Sequence, residues 1–233
     1  MRVLRLSGPG SAAGTLRVLA ALLSYPDAER RCHLQEMAQV LRGEKALPAG
    51  RLAELDALVE TLGRNDPLEI EADYVQLFDR GRATSLHLFE HVHGDSRERG
   101  PAMIDLAQTY AQAGLFLAEG ELPDFLPVAL EFASTQPPRE ARAFLAEIAH
   151  ILNAIFAALQ QRRSAYASVV GALLELAGEK ARPVEVAAEE PIDVVWEEPP
   201  VFDGCSSKGQ SRPGQPKPIR IVRNDHPVEG VRP

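Results

Sequence analysis

Cysteine is nearly missing from this sequence, since only Cys32 and Cys205 occur among its 233 residues. Two cysteines so far apart exclude the disulfide framework of a small secreted domain and favour a reducing compartment. Long apolar runs are missing as well. Arg17 interrupts the first one, and the remainder is shorter than the roughly 7–15 residues of a secretory signal core. No charge-free run approaches the roughly 20 residues of a membrane helix, so we predict a cytoplasmic protein without membrane insertion.

Positive charge is in deficit, because 25 Lys and Arg stand against 33 Asp and Glu, a formal net charge of −8. This balance argues against nucleic acid as a partner bound through overall charge, since phosphate neutralisation needs a clustered positive surface. Familiar catalytic patterns are also missing: there is no Gly-x-Ser-x-Gly turn, no His-Glu-x-x-His motif and no paired-carboxylate signature. We therefore predict that the protein is not an enzyme, and we assign no catalytic residue.

Strand-like patterns are scarce, and only residues 3–6 and 219–222 alternate as a strand would. Helical periodicity occupies most of the rest. In residues 51–62, apolar side chains recur at steps of three and four before Gly63. Asp66-Pro67 is typical of a helix start, with a capping side chain followed by a proline whose missing N–H has no cost there. The sequence therefore predicts an all-α protein.

The remaining helix signals follow the same logic. They predict helices after Gly100-Pro101, from Asp124 with Pro127 in the first turn, from Pro137-Pro138 as one long helix through Leu159, and from about Ser164 to Ala177 with an end at Gly178.

Proline density divides the chain, because nine of the 18 prolines lie in residues 181–233. That stretch shows no helical period, and its prolines remove backbone donors at short intervals. We predict a flexible leader over residues 1–10, one helical domain over 11–180, and a largely irregular, mostly disordered tail over 181–233. A lone Trp196 in an apolar patch leaves open that the tail is an interaction element.

The chemically densest window is residues 78–100. Its His87, Glu90, His91, His93 and Asp95 are possible metal ligands, since His87 and His91 share a helical face. No second cluster completes a coordination shell, and neither cysteine is near in sequence. We therefore predict no metal site and no cofactor, and a metal-binding protein stays a minor alternative.

Charges of both signs alternate with large apolar residues in the same window, whereas a simple amphipathic core helix would separate them. Such a mixture favours a segment that lines a groove and takes both the apolar face and the charged side chains of a peptide helix. A corner between helices that is pinned by ion pairs would give the same pattern. The residues alone leave these two interpretations open.

The window also carries a family resemblance. Residues 74–100, with Leu77-Phe-Asp79 at one end and Arg99-Gly100 at the other, closely resemble the nitrate reductase assembly chaperones of the TorD-like chaperone superfamily. Further matches are Asp66-Pro-Leu68, Tyr25-Pro-Asp-Ala28, Glu121-Leu-Pro-Asp124, Leu126-Pro127 and Trp196-Glu-Glu198. The resemblance covers about residues 16–205. Phe125 departs from it, because the family often has His after the Pro-Asp pair.

The resemblance implies a single-domain helical bundle of the TorD-like type without catalysis. It implies a client-specific chaperone that binds the apo catalytic subunit of membrane-bound respiratory nitrate reductase, including its N-terminal peptide. The chaperone would keep that subunit open for insertion of iron–sulfur clusters and molybdenum cofactor before membrane docking, with cofactor delivery proteins as further candidate partners. A TorD-like chaperone for a different molybdoenzyme is the principal alternative.

We assign peptide binding to the window and two neighbours. Leu86 and Phe89 are expected to offer apolar surface, and Asp79, Glu90 and Asp95 to meet basic client side chains. Arg80, Arg97 and Arg99 are expected to hold the segment or to meet acidic client groups. The candidate set is completed by Phe78, His91, His93, Glu121 and Asp124.

Overall fold

The computed structural model describes residues 12–94 and 96–180. The predicted leader, nearly all of it before residue 12, the predicted tail over 181–233 and the candidate residue Asp95 lie outside the described residues.

Helices account for the regular structure of the described residues, and no sheet forms among them. The α-helices are α1 (Ala13–Leu23), α2 (Ala28–Cys32), α3 (Leu34–Glu44), α4 (Ala49–Arg64), α5 (Pro67–Tyr74), α6 (Leu88–Val92), α7 (Arg99–Gln112), α8 (Leu126–Thr135), α9 (Pro138–Glu147), α10 (Ala149–Gln161) and α11 (Ala167–Ala177). A π-helical segment, Val75–Asp79, and a 3-10 segment, Arg82–Thr84, lie between α5 and α6. The predicted all-α class is confirmed.

Two helices form the centre of the bundle. Helix α1 packs against α8, α3 and α11, and α11 packs in turn against α10, α9 and α4. The central part of α11 is apolar on most sides, so Val169, Val170 and Leu173 are fully buried. Burying a side chain of this size contributes about 1.5–3 kcal/mol, so these three residues of α11 contribute substantially to the stability of the fold.

Several helix ends lie where the sequence predicts them. The Asp66 carboxylate accepts hydrogen bonds from the N–H groups of Leu68 at 2.9 Å and Glu69 at 3.3 Å, and Pro67 is the first residue of α5. At the other end of the domain, Gly178 has a φ of 80° and ends α11. A left-handed residue of this kind favours glycine, because it lacks the Cβ that would clash.

Other boundaries differ from the prediction by a few residues. Helix α4 continues through Gly63 to Arg64, because that glycine keeps a helical conformation. Helix α7 begins at Arg99, and Gly100 and Pro101 lie in its first turn, where a proline is tolerated. Helix α11 begins three residues after Ser164.

The long helix predicted from Pro138 is wrong, because the structure divides it into α9 and α10 at Ile148. Ile148 has a ψ of 3°, and the two helices bend by 64° there. The bend lets α9 pack on α8 and α11 while α10 packs on α11 and the 3-10 segment. Apolar periodicity runs through the break, so no local residue reveals it.

Among the described residues, no single helix is both long enough and apolar enough to cross a bilayer. In that part of the chain, α9 and α10 reach such a length and apolar character when they are taken together, but they are bent by 64°.

Candidate functional site

The window between α5 and α7 is built from short irregular elements that close packing holds in place. Gly81 is buried between the π-helical and 3-10 segments, and the Thr84 hydroxyl donates a hydrogen bond to the Leu77 carbonyl beside it. A Cβ on Gly81 would lie 2.6 Å from the Leu77 carbonyl oxygen and 2.9 Å from an Arg162 nitrogen. Only glycine fits this position, which explains how the chain turns so tightly at the start of the window.

Asp124 lies at the centre of the site although its side chain is fully buried. One carboxylate oxygen accepts the backbone N–H of Phe89 at 3.3 Å and lies 3.5 Å from the Arg99 guanidinium. The other lies 3.3 Å from Nδ1 of His87. One carboxylate therefore connects the first turn of α6, the start of α7 and the residue that precedes α6.

The sequence predicts a helix from Asp124, whereas α8 begins two residues later, at Leu126. Phe125 occupies the N-cap of α8 without a side-chain hydrogen bond, whereas Asp124 caps α6 from a distant part of the chain. Backbone hydrogen bonds explain why Asp124 caps α6 and not α8. Leu88 N–H donates to the Asp124 carbonyl at 2.9 Å and Leu126 N–H donates to the Leu86 carbonyl at 2.8 Å, a short antiparallel pairing that turns the Asp124 side chain inward.

The buried carboxylate also sets the electrostatics of its neighbours. Its hydrogen bond to the His87 ring raises the pKa of His87 above the ordinary value, and partial burial of the ring opposes that shift. Arg99 supplies a second positive charge 3.5 Å away. A buried carboxylate is tolerated when it is paired and hydrogen-bonded in this way.

Phe125, where the resemblance expects a polar residue, contributes through its ring instead. The Phe125 and His87 ring centroids lie 5.3 Å apart with an interplanar angle of 33°. Phe125 also packs against the hydrophobic core. The Phe125 ring therefore packs against the His87 ring, and it makes none of the polar contacts that a histidine side chain could make.

Ser85 organises the other side of the window. Its hydroxyl donates to the Glu90 carboxylate, and its carbonyl oxygen lies 2.8 Å from Nε2 of His91. The second Glu90 oxygen lies 3.7 Å from Arg99. Arg99 therefore lies between two carboxylates, one buried and one at the surface.

These side chains border a cleft of about 430 Å³. Acidic Asp79 and Glu90 and basic Arg82 and Arg99 all line it, and Phe78 forms part of its floor. The structure thus places side chains of both signs around a partly apolar floor, as expected for a surface that recognises a peptide carrying apolar and charged residues.

The structure brings four of the thirteen candidate residues to the cleft itself, namely Phe78, Asp79, Glu90 and Arg99. Phe89 and His93 are half-buried beside it, with ring centroids 5.4 Å apart. His91 is half-buried against the backbone of Ser85. The last three do not line the cleft, but each directly neighbours a residue that does, Glu90 or Gly94.

The other candidates lie elsewhere. Leu86 is only 2% exposed, so the expectation that it offers apolar surface is wrong, because its backbone pairing turns it into the core. Asp124 is buried and supports the site from beneath. Arg80 and Arg97 are exposed but do not line the cleft. Glu121 caps a separate turn, where it accepts the N–H of Ala118 at 2.9 Å.

Sequence reasoning missed Ser85 and Gly81, and it considered His87 only as a metal ligand. Ser85 directly precedes the Leu-His-Leu-Phe run at the start of α6, and a serine before an apolar run is a recognised capping signal. Gly81 stands between two arginines in a polar stretch, and glycine is a general marker of turns. Neither signal identifies which distant segment is contacted.

The histidines of the window have partners other than each other. His87 bonds Asp124, and His91 bonds the Ser85 carbonyl. Within residues 12–94 and 96–180, no three His, Cys, Asp or Glu side chains converge as a metal-ligand set.

The sequence of this chain is similar to that of several known proteins. Residues 44–170 match the family model described as nitrate reductase delta subunit. The nitrate reductase molybdenum cofactor assembly chaperone NarJ of Escherichia coli (strain K12) is 45% identical over 193 residues, which cover 78% of this chain and 82% of that protein. The probable chaperone NarJ of Bacillus subtilis (strain 168) is 32% identical over 162 residues, which cover 69% and 86%.

A solved structure shares the fold. The crystal structure of a putative redox enzyme maturation protein from Archaeoglobus fulgidus superposes with a TM-score of 0.53 at 21% sequence identity. The match covers 77% of this chain and all of that one. At this identity the likeness concerns the fold alone.

Proposed function

This chain belongs to the nitrate reductase delta subunit family, and we propose that it is an assembly chaperone for nitrate reductase rather than an enzyme. The client is the apo catalytic subunit, bound in part through its N-terminal peptide. The chaperone keeps that subunit competent to receive iron–sulfur clusters and molybdenum cofactor before it docks at the membrane, and cofactor delivery proteins act on the same complex. The observation that carries the site assignment is the cleft of mixed polarity supported by the buried Asp124.

Apolar contact supplies most of the binding energy in this proposal. Phe89 is half-buried, so part of its ring packs on the core while the rest stays available beside the cleft. A helix that lies in a groove is anchored mainly by buried apolar side chains, which determine its dissociation rate. Phe89 therefore takes the role that the sequence assigned to both Leu86 and Phe89.

Charge supplies orientation. Asp79 and Glu90 line the cleft with a solvent-exposed acidic edge, which suits basic side chains of the peptide. Arg99 is engaged by Asp124 and Glu90, so its first role is to hold the segment in shape. Surface charges of this kind affect association rate and salt dependence more than affinity.

Asp124 makes the site rigid without touching the client. It fixes α6 relative to α7 and α8 through three hydrogen bonds or ion pairs from one buried carboxylate. A preformed surface loses less entropy when the peptide binds. This support explains why a client surface can be built from a five-residue helix and irregular turns.

The test is a peptide titration with matched phenylalanine variants. The N-terminal peptide of the nitrate reductase catalytic subunit is titrated into the parent chain, into Phe89→Ala and into Phe116→Ala. Phe116 is 83% exposed and does not line the cleft. We expect Phe89→Ala to weaken binding by roughly 1–3 kcal/mol and Phe116→Ala to bind like the parent.

Circular dichroism and thermal unfolding establish that each variant is folded. If folded Phe89→Ala binds like the parent, the site assignment is wrong. If the parent binds the equivalent peptide of another molybdoenzyme more tightly, the client assignment is wrong while the groove is right. Titrating both peptides into the parent chain and into Phe89→Ala distinguishes these two outcomes.

A further inference from the structure

A second cleft, of about 370 Å³, lies among α1, the loop after α3, α8 and α9. Leu16, Ala141 and Leu145 form a buried apolar floor, and half-buried Leu176 adds to it. None of the residues that line this cleft lines the client cleft described above. The second cleft is therefore a separate surface, which the proposed client site does not use.

The floor of the second cleft suits aliphatic side chains. Every apolar residue that lines it is an alanine, a leucine or a proline, and no aromatic residue is among the lining residues. Proteins hold nucleobases and other flat rings largely by stacking them on aromatic side chains, and this cleft offers no such surface. The aliphatic side chains of a peptide, in contrast, gain free energy from burial on any apolar floor.

The rim of the second cleft carries positive charge. Lys45 and Arg142 are both exposed and line it. Glu44 also lines it, but its carboxylate accepts the backbone N–H groups of Gly14, at 3.0 Å, and Thr15 in the first turn of α1. The positive end of that helix dipole offsets the Glu44 charge, so the two cations dominate the rim.

The start of α9 adds to this positive character. Pro138, the first residue of α9, lines the cleft, and no side chain caps the first turn of this helix. The positive end of the α9 dipole therefore lies at the border of the cleft, and the first-turn acid, Glu140, does not line it. The Arg142 guanidinium is held in place as well, because its Nε donates a hydrogen bond to the Ala177 carbonyl at 3.2 Å.

We propose that the second cleft binds a short segment of a protein partner in which carboxylates alternate with aliphatic side chains. The aliphatic side chains pack on the apolar floor, and the carboxylates meet Lys45 and Arg142 at the rim. Charge complementarity selects this partner over the client peptide. The client cleft has an acidic edge, formed by Asp79 and Glu90, and so prefers basic segments, which the rim of the second cleft repels.

The two clefts therefore have opposite charge preferences and share no lining residue. One chain can hold a basic client peptide and an acidic partner segment at the same time. The proposal concerns the second cleft alone, and it goes beyond the proposed chaperone function without depending on it.

The test is a nuclear magnetic resonance titration of the isotope-labelled full chain with three capped pentapeptides. The acidic probe is acetyl-Glu-Leu-Glu-Leu-Glu-amide. One control peptide has serine in place of both leucines, and the other has lysine in place of the glutamates. We expect the acidic probe to shift the amide signals of Ala13, Lys45 and Arg142, and each control peptide to bind at least about tenfold more weakly.

Charge reversal at the rim tests the position of the probe. Lys45→Glu and Arg142→Glu should each weaken binding of the acidic probe by roughly 3–10-fold. Lys45→Glu is the cleaner variant, because Arg142 also contacts the end of α11. The matched control is Arg163→Glu, since Arg163 is likewise exposed and left-handed, with a φ of 52° against 54° for Lys45, but does not line the cleft. It should bind the probe like the parent.

Four results would overturn the proposal. The first is an absence of shifts around the second cleft, which would mean that the cleft is closed to an added segment. The second is equal binding of the acidic probe and either control peptide. The third is an equal loss of binding in Lys45→Glu and Arg163→Glu. The fourth is self-association of the parent that Lys45→Glu abolishes, measured by sedimentation velocity, because it would identify a second copy of this chain as the occupant. No client is present in these measurements, so none of these results affects the proposed chaperone function.

Discussion

The carboxylate of Asp124 accepts the backbone N–H of Phe89 at 3.3 Å, across 35 residues of sequence. An acid two residues before α8 thus caps α6 and supports the aromatic residue that we place in the client surface. The two halves of the site are joined by this contact. Disrupting it is therefore expected to affect both folding stability and peptide binding.

Asp124→Asn should lower the free energy of unfolding by about 1–3 kcal/mol, because it leaves a buried hydrogen-bonded charge network incomplete. The exposed Asp105→Asn on α7 is the matched control and should change stability by less than about 0.5 kcal/mol. Urea unfolding of both variants measures the difference. Equal free energies of unfolding of the two variants would mean that the Asp124 contacts make no net contribution to stability.

The His87–Asp124 pair should make stability depend on pH in a defined direction. Asp124 raises the pKa of His87 in the folded state, so the charged histidine stabilises the fold. That contribution is fully present below the unfolded value of about 6.5 and is lost as pH rises through the higher folded pKa.

The measurement is unfolding free energy between about pH 5.5 and 8.5, across the histidine range. His87→Gln should flatten the profile in this range, whereas His33→Gln, at an exposed histidine, should keep the parent slope. If the free energy of unfolding of the parent and of His87→Gln changed with pH in the same way, the assignment to the His87–Asp124 pair would be contradicted.

Gly81→Ala should destabilise the fold by roughly 1–3 kcal/mol, because overpacking forces the chain to shift. The new Cβ would meet the Leu77 backbone oxygen at 2.6 Å, and backbone does not give way as a side-chain end does. Gly43→Ala in α3 is the control, since nothing lies within 4 Å of its Cβ position, and it should be neutral or slightly stabilising. Thermal unfolding compares the two directly.

Glu90→Gln should weaken peptide binding less than Phe89→Ala and should reduce the salt dependence of binding. The reason is that an exposed carboxylate contributes steering that salt screens. Glu98→Gln, an exposed acid outside the cleft, is the control. Titrations at two ionic strengths provide the measurement, and an unchanged salt slope in Glu90→Gln would remove this carboxylate from the client surface.

Much of the local structure was predictable because its causes are local. Asp66 and Pro67 start α5 through contacts within three residues, and Gly178 ends α11 through its own backbone conformation. The mixture of charged and apolar residues over 78–100 likewise predicted a segment unlike a core helix. The structure places several of those residues around one cleft.

The details of the site were not predictable from the sequence, because they depend on contacts between segments that are distant in sequence. Whether Leu86 is exposed depends on its backbone pairing with Leu126, and the role of Asp124 depends on α6 being beside it. Both contacts join segments more than 30 residues apart. The break at Ile148 is also invisible locally, because the apolar stripe that α9 and α10 share would suit one straight helix equally well.

The sequence by itself determined the all-α class, the ends of some helices and the mixed chemical character of residues 78–100, since hydrophobic period, capping and composition act over a few residues. Only the tertiary structure decided which of those residues stay accessible and which become supports. Burial depends on which helices meet: Phe89 stays half-exposed beside the cleft, whereas Leu86, three residues earlier, is enclosed by the pairing in front of α8.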